Sequence, residues 1–297
     1  MEVAGSGFRD LPAGCIAHVI SFTCPRDSCR SAVTSSEFRS ASESDTVWDR
    51  FLPSDIRSIL DRAVDPVAHS SKKELYFRLC DSILIDGGRM SFALEKLSGA
   101  KCYMLSAREL NIVWGDTPTY WTWLSAESYR NEALSLSTGF PEVAHLLNVC
   151  WLEIRGKIDS RVLSPRTTYS AYLIYNLLKE SSGFKYLKQK ASVKVGANES
   201  TGFLSLQPAA LRPRRGFRRR PRFLGMFFSP LEEETGAEGV ARVPCLRADG
   251  WLEIELGEFF NNEGKDGEVE MYLMEVEGGY WKSGLTIQGI EVRPKKN

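Results

Sequence analysis

The chain has 297 residues, 43% hydrophobic and 26% charged, and its 38 basic and 38 acidic side chains leave a formal net charge of zero. That is enough chain for one large domain or two ordinary ones with a real core. The charge balance removes any global electrostatic case for nucleic acid, and no run of about eighteen apolar residues could cross a membrane, so neither DNA nor a membrane is expected as a partner.

The opening "MEVAGSGFRDLPAGC" carries Glu2, Arg9 and Asp10 without the apolar run of a signal peptide. "LPAGCIAHVISF" then repeats apolar residues at Ile16, Val19 and Ile20, the spacing of one helix face. Pro25 breaks that helix and Asp27 can cap the next, which presents Cys29, Ala32 and Val33. Phe38, Trp48, Phe51 and Leu52 follow as large apolar anchors. After Pro53 a linker-like stretch leads to "SSKKELYFRLCDSIL", where Leu75, Leu79 and Ile83 predict a further helix.

Beyond Lys101 the period changes. "CWLEIRGKI", "TYSAYLIYNLLK", "ASVKV", "GWLEIELGEF", "GEVEMYLMEV" and "GLTIQGIEV" are strand-length runs bounded by turn residues. Val269, Met271 and Leu273 alternate with Glu268, Glu270 and Tyr272, the pattern of a sheet with one wet face. Many such runs without long intervening helices predict a sandwich or barrel. "WLEI" occurs at 151–154 and 251–254, read as similar strand chemistry rather than a repeat. Residues 197–244 read as an irregular insert, and "RPRRGFRRRPR" at 212–222 holds seven arginines. Such a run is a solvated loop, a nuclear import signal or a loose contact with an anionic surface.

Signals for bond chemistry are scarce. Seven cysteines, at Cys15, Cys24, Cys29, Cys80, Cys102, Cys150 and Cys245, are odd in number and form no C-x-x-C pair, which predicts reduced thiols in nucleus or cytoplasm rather than disulfides or zinc. His18, His69 and His145 lie far apart. Gly257 to Lys265 has the wrong spacing for a phosphate loop. No catalytic residue, metal or cofactor is expected.

The first segment resembles an F-box. The match rests on Leu11-Pro12, Ile16, Ile20, Pro25-Arg26-Asp27, Val33, Phe38 and Asp45-x-x-Trp48. About forty residues rarely bury enough surface alone, so part of the apolar face is expected to meet a partner. In that family the partner is the Skp-type adaptor of a Skp–cullin–F-box ubiquitin ligase. The resemblance implies that Leu11, Pro12, Ile16, Ile20, Pro25, Val33 and Trp48 bind the adaptor.

The second segment is similar to the phloem protein 2 family, the Nictaba-like lectins, through "ARELNIVWGDTPTYWTW", "VCWLEIRGKI", "LSPRTTYSAYLIY", "DGWLEIELGEFF", "GEVEMYLMEV" and "WKSGLTIQGIEVRP", in family order from Leu105 to Pro294. Together the two resemblances imply a plant protein of α+β class. Its expected parts are a small three-helix F-box at 8–53, a helical linker at 54–100 and an antiparallel, jelly-roll-like β-sandwich at 101–297.

The lectin resemblance further implies recognition of N-acetylglucosamine-type glycans and carries binding roles onto Trp114, Trp121, Glu268 and Glu275. A ring face with fixed carboxylate acceptors suits a sugar, which offers C–H faces and a rim of hydroxyls. Trp114 flanks the Gly-Asp-Thr-Pro turn and is expected to be exposed, whereas Trp121 and Trp123 fit either packing or binding. Trp151 and Trp251, taken as strand residues, are expected in the core. Glu268 and Glu275 are seven apart, so a regular strand turns them to opposite sides. Glu268 is the preferred ligand, and a buried structural role is the alternative for Glu275.

The function implied is a non-catalytic substrate receptor of a ubiquitin ligase, with adaptor, cullin and a glycan or glycoprotein target as partners. Two rivals stand beside it: a receptor for a bare protein surface, and a glycosidase built on the carboxylates Glu258, Glu263, Asp266 and Glu268.

Overall fold

In the computed structural model of the protein, residues 11–125, 127–128, 139–184, 188–208 and 241–295 are described. The arginine run at 212–222, the first residues of the expected F-box and most of the expected insert lie outside them.

Six short helices come first: α1 (Ala13–Ile20), α2 (Pro25–Ser31), α3 (Ser36–Ser42), α4 (Asp45–Phe51), α5 (Ile56–Asp61) and α6 (Lys72–Cys80). The F-box segment thus holds four helices where three were expected. Pro25 opens α2, a position where its missing N–H is no loss. The Ser35 and Ser44 hydroxyls accept from the Phe38 and Thr46 amides and start α3 and α4. At α6 the Ser71 hydroxyl accepts from the Glu74 amide, while the Glu74 carboxylate accepts from the Ser70 amide at 2.7 Å.

Trp48 organises this region. It is fully buried, its indole N–H donates to the Ser42 carbonyl at 2.7 Å, and its ring lies 5.2 Å from Tyr76 and 5.3 Å from Phe77. Tyr76 in turn donates to the Glu95 carbonyl at 3.2 Å, and Lys101 meets Asp55 at 2.8 Å. One continuous hydrophobic cluster therefore runs from Ile16 in α1 to Val292 near the C-terminus.

Fourteen strands make two antiparallel sheets among the described residues. The larger contains β1 (Ile83–Ile85), β2 (Met90–Leu94), β3 (Lys101–Ser106), β5 (Trp121–Ser125), β6 (Glu142–Leu146), β8 (Thr167–Ser182), β11 (Cys245–Leu246), β12 (Leu252–Asn261) and β14 (Ser283–Pro294). The smaller runs β10 (Asn198–Leu204), β9 (Gln189–Val195), β13 (Glu268–Glu275), β7 (Leu152–Asp159) and β4 (Asn111–Ile112). In β13 Val269, Met271 and Leu273 are fully buried, as the alternation predicts. All six strand runs read from the sequence are strands.

Two segments differ from the sequence reading. The helix of 72–80 stops at Cys80 because Asp81 adopts extended backbone, so Ile83 opens β1, and β1 and β2 extend the large sheet within the stretch read as helical linker. Residues 198–204, read as part of an irregular insert, pair with β9 along their whole length.

Candidate functional site

The Gly-Asp-Thr-Pro turn separates two tryptophans with opposite fates. Trp114 sits at φ +59°, a left-handed conformation that is strained for a bulky residue. Its ring is 42% exposed and leans on Tyr120, centroids 5.2 Å apart. Trp121 begins β5 and is 2% exposed, so it belongs to the core and offers no face to a ligand. This corrects the binding role carried onto it. Trp123 is half-buried, donates its indole N–H to the Gly115 carbonyl at 3.0 Å, and has the Arg108 guanidinium 3.6 Å above its ring.

The main chain ties Trp114 to one end of the smaller sheet. The Val113 amide donates to the Glu153 carbonyl at 3.1 Å, Leu152 pairs with Glu275, and Val149 bridges to Lys282. At that end stand Trp151, 44% exposed, and the loop 276–282, where Tyr280 and Trp281 are 63% and 54% exposed. The Trp151 indole donates to the Glu153 carboxylate at 2.9 Å, and Arg155 holds the other oxygen of that carboxylate. Exposed Asp116 and Glu277 sit in the same two loops. Exposed aromatic side chains and carboxylates thus share one end of the smaller sheet.

Trp151 thus contradicts the core expectation. It precedes β7, shares the outward parity of Glu153 and Arg155, and is 44% exposed. Trp251 is fully buried, as expected, packed with Met104, Phe140, Val143 and Ile174.

The two carried-over carboxylates separate. Pairing runs unbroken from Glu268 opposite Asp159 to Glu275 opposite Leu152, so no bulge brings them to one face, and seven residues of strand put them roughly 23 Å apart. Glu268 lies at the end remote from Trp114, exposed and paired with Lys157 at 3.0 Å. That placement separates it from Trp114. Glu275 lies at the aromatic end but is buried: one oxygen accepts from the Gly278 amide at 2.9 Å and the other meets Lys282. Sequence reasoning missed Tyr280 and Trp281; the Gly278-Gly279 pair just before them was the available sign of an exposed turn.

On the helices, Ile16, Ile20, Pro25 and Trp48 face inward, with Ile16 and Ile20 at 2% and 3% exposure. They build the helical core rather than offer it, which corrects their assignment as adaptor contacts. Leu11, Pro12 and Val33 are exposed as expected, and Val19 and Phe22 join them.

The chain thus joins a helical unit with uncovered apolar side chains, through a shared core, to an antiparallel sandwich with exposed aromatic residues at one end. Residues 100–294 match phloem protein 2. The chain is 44% identical over 98% of its length to F-box protein At2g02240 of Arabidopsis thaliana, covering 82% of that protein. It is 42% identical over 98% of its length to F-box protein PP2-B10 of the same plant, covering 95% of it. The chain belongs to the plant F-box proteins that carry a phloem protein 2 domain.

Proposed function

We propose that this protein is the substrate-receptor subunit of a Skp–cullin–F-box ubiquitin ligase, its helical face docking the Skp-type adaptor and its sandwich capturing the target through N-acetylglucosamine-type glycans. The observation that carries the reading is that Trp114, Trp151, Tyr280 and Trp281 are all exposed at one sandwich end, where in this reading they form an aromatic platform. An aromatic face that covers about 50–100 Å² of sugar contributes about 1–2.5 kcal/mol at roughly 25 cal/mol per Å². Two rings and one charged hydrogen bond, set against the cost of association, support a Kd in the micromolar to millimolar range. Trp114 is retained from the family-based assignment, and Asp116 and Glu277 replace Glu268 as acceptors.

The protein itself transfers nothing in this reading. A glycosidase needs two carboxyl groups acting across the sugar bond, whereas of the four acids Glu258, Glu263 and Glu268 are each engaged by a lysine (Lys295, Lys265 and Lys157), which leaves Asp266 without a second. A bare protein target is the second reading, because exposed aromatic side chains also anchor protein interfaces. Affinity purification with and without free chito-oligosaccharide separates the two: glycan recognition requires that targets elute with the sugar, and targets that stay bound favour a protein surface. We also place the protein in nucleus and cytoplasm. Replacing Arg218, Arg219 and Arg220 by Gln should shift a fluorescent fusion toward the cytoplasm, and an unchanged distribution leaves the run as a loop.

A further inference from the structure

We infer that Glu275 and Lys282 form a buried ion pair that positions the aromatic platform, so that Glu275 serves recognition without touching the ligand. The functional part of this inference rests on the platform being the recognition surface.

Lys282 is 0% exposed. Its ammonium meets three oxygens: the Glu275 carboxylate, the Cys150 carbonyl at 2.7 Å and the Tyr280 carbonyl at 2.8 Å. Two of these contacts are hydrogen bonds to carbonyls and the third is an ion pair. Each acceptor belongs to a different part of the site. Cys150 immediately precedes Trp151, Tyr280 immediately precedes Trp281, and Glu275 ends β13. The second Glu275 oxygen accepts from the Gly278 amide and fixes the start of the loop that carries both Tyr280 and Trp281.

The paired main-chain bonds between Lys282 and Val149 hold the end of this loop. Residues 276–281 belong to no strand or helix, and Gly279 stands at φ +61°. The far side of the loop lies against Gly183, where a Cβ would come within 2.3 Å of the Trp281 carbonyl oxygen. Only glycine admits that approach. The loop is therefore clamped between Gly183 on one side and the ion pair on the other.

A buried ion pair is a poor way to gain stability, since well-packed apolar side chains of similar volume do as well or better. An apolar pair, however, could not bond the Cys150 and Tyr280 carbonyls. The pair is suited to fixing where Trp151 and Trp281 stand relative to each other. The carboxylate, with one oxygen on an amide and one on an ammonium, has no exposed edge to offer a sugar.

The test uses the full chain with 5-fluorotryptophan in place of its seven tryptophans. Fluorine spectra, assigned by single Trp→Phe changes, are read beside titration with N-acetylglucosamine oligomers and thermal melting. Glu275→Gln and Lys282→Met should each move or broaden the Trp151 and Trp281 resonances, leave Trp48 and Trp251 in place, and weaken binding ten-fold or more. Each single change also leaves one buried partner uncompensated, so melting falls. The double change Glu275→Met with Lys282→Met removes both charges and should recover part of the melting, but neither the resonances nor the affinity. Recovery of affinity together with melting would show a merely structural pair and overturn the inference. So would unmoved Trp151 and Trp281 resonances in the single variants. If the wild type binds no oligomer, the glycan reading fails, and the fluorine spectra still decide the positioning role.

Discussion

Trp114 keeps a left-handed backbone that glycine would adopt without strain. Trp114→Gly is expected to melt above Trp114→Ala by the equivalent of about 1 kcal/mol, while both lose sugar binding; equal melting would mean that the turn carries no strain. For Trp121→Ala the fully packed ring predicts a loss of about 3–5 kcal/mol by denaturant unfolding. Trp151→Ala should leave stability nearly intact and cost binding ten-fold or more, the reverse of what its place in a strand motif suggests. The two "WLEI" copies show why sequence could not separate these residues. Trp151 and Trp251 share the same outward parity relative to the strands that follow them. Leu124 on β5 and Phe140 and Val143 around β6 pack with Trp251, which is fully buried, whereas Trp151 stays 44% exposed. Cover by a distant segment leaves no mark in a four-residue motif.

Periodicity delivered most of the elements. The spacing of Ile16 and Ile20 located α1 and the alternation in β13 located its buried face, but periodicity also carried α6 too far, since Leu75, Leu79 and Ile83 keep helical spacing across the turn at Asp81. For α1 it identified an apolar face without saying whether that face meets the protein's own core or a partner. Burial now divides the two. Ile16→Ala should destabilise the helical unit by about 2–5 kcal/mol in thermal melts, whereas replacing Leu11 and Pro12 together by Ala should abolish co-purification with a Skp-type adaptor and leave melting unchanged. Retained co-purification would remove the exposed helical face from the interface. At the start of α6, bonds from the Ser70 side chain and amide, followed by Arg78, lower the Glu74 carboxyl from 4.5 to about 2. A depressed carboxyl supports folding above its unfolded value and loses that support as pH falls through the folded one. An NMR titration should therefore find Glu74 ionised to about pH 2, and titration near 4.5 would mean that the cap is not formed.

At the scale of the molecule, the single core joining helices to sandwich contains acids that burial holds neutral. Burial pushes Cys80 up to about 11 and Cys102 and Tyr169 to about 12, and raises Tyr76, Tyr103 and Tyr175 as well. Tyr76 and Tyr175 use their neutral hydroxyls to donate to the Glu95 and Leu206 carbonyls. Because these folded values lie above the ordinary 9.0 and 10.0, their contribution is complete below about pH 9 and is lost as pH rises toward 11–12. Helices and sandwich should unfold together in that window when followed by circular dichroism. Separate transitions would contradict the shared core. The relation of F-box to sandwich was legible as a fused pair, but the path that joins them, Trp48 of α4 against Tyr76 of α6 and Tyr76 bonded to the Glu95 carbonyl, links segments far apart in the sequence. The most direct measurement of the proposed function is calorimetric titration of the full chain with N-acetylglucosamine oligomers, for the wild type and for Trp281→Ala. The expected result is a micromolar to millimolar Kd that weakens ten-fold or more in the variant with melting unchanged. Absence of binding by the wild type, or equal binding by the variant, would contradict glycan recognition at the aromatic end.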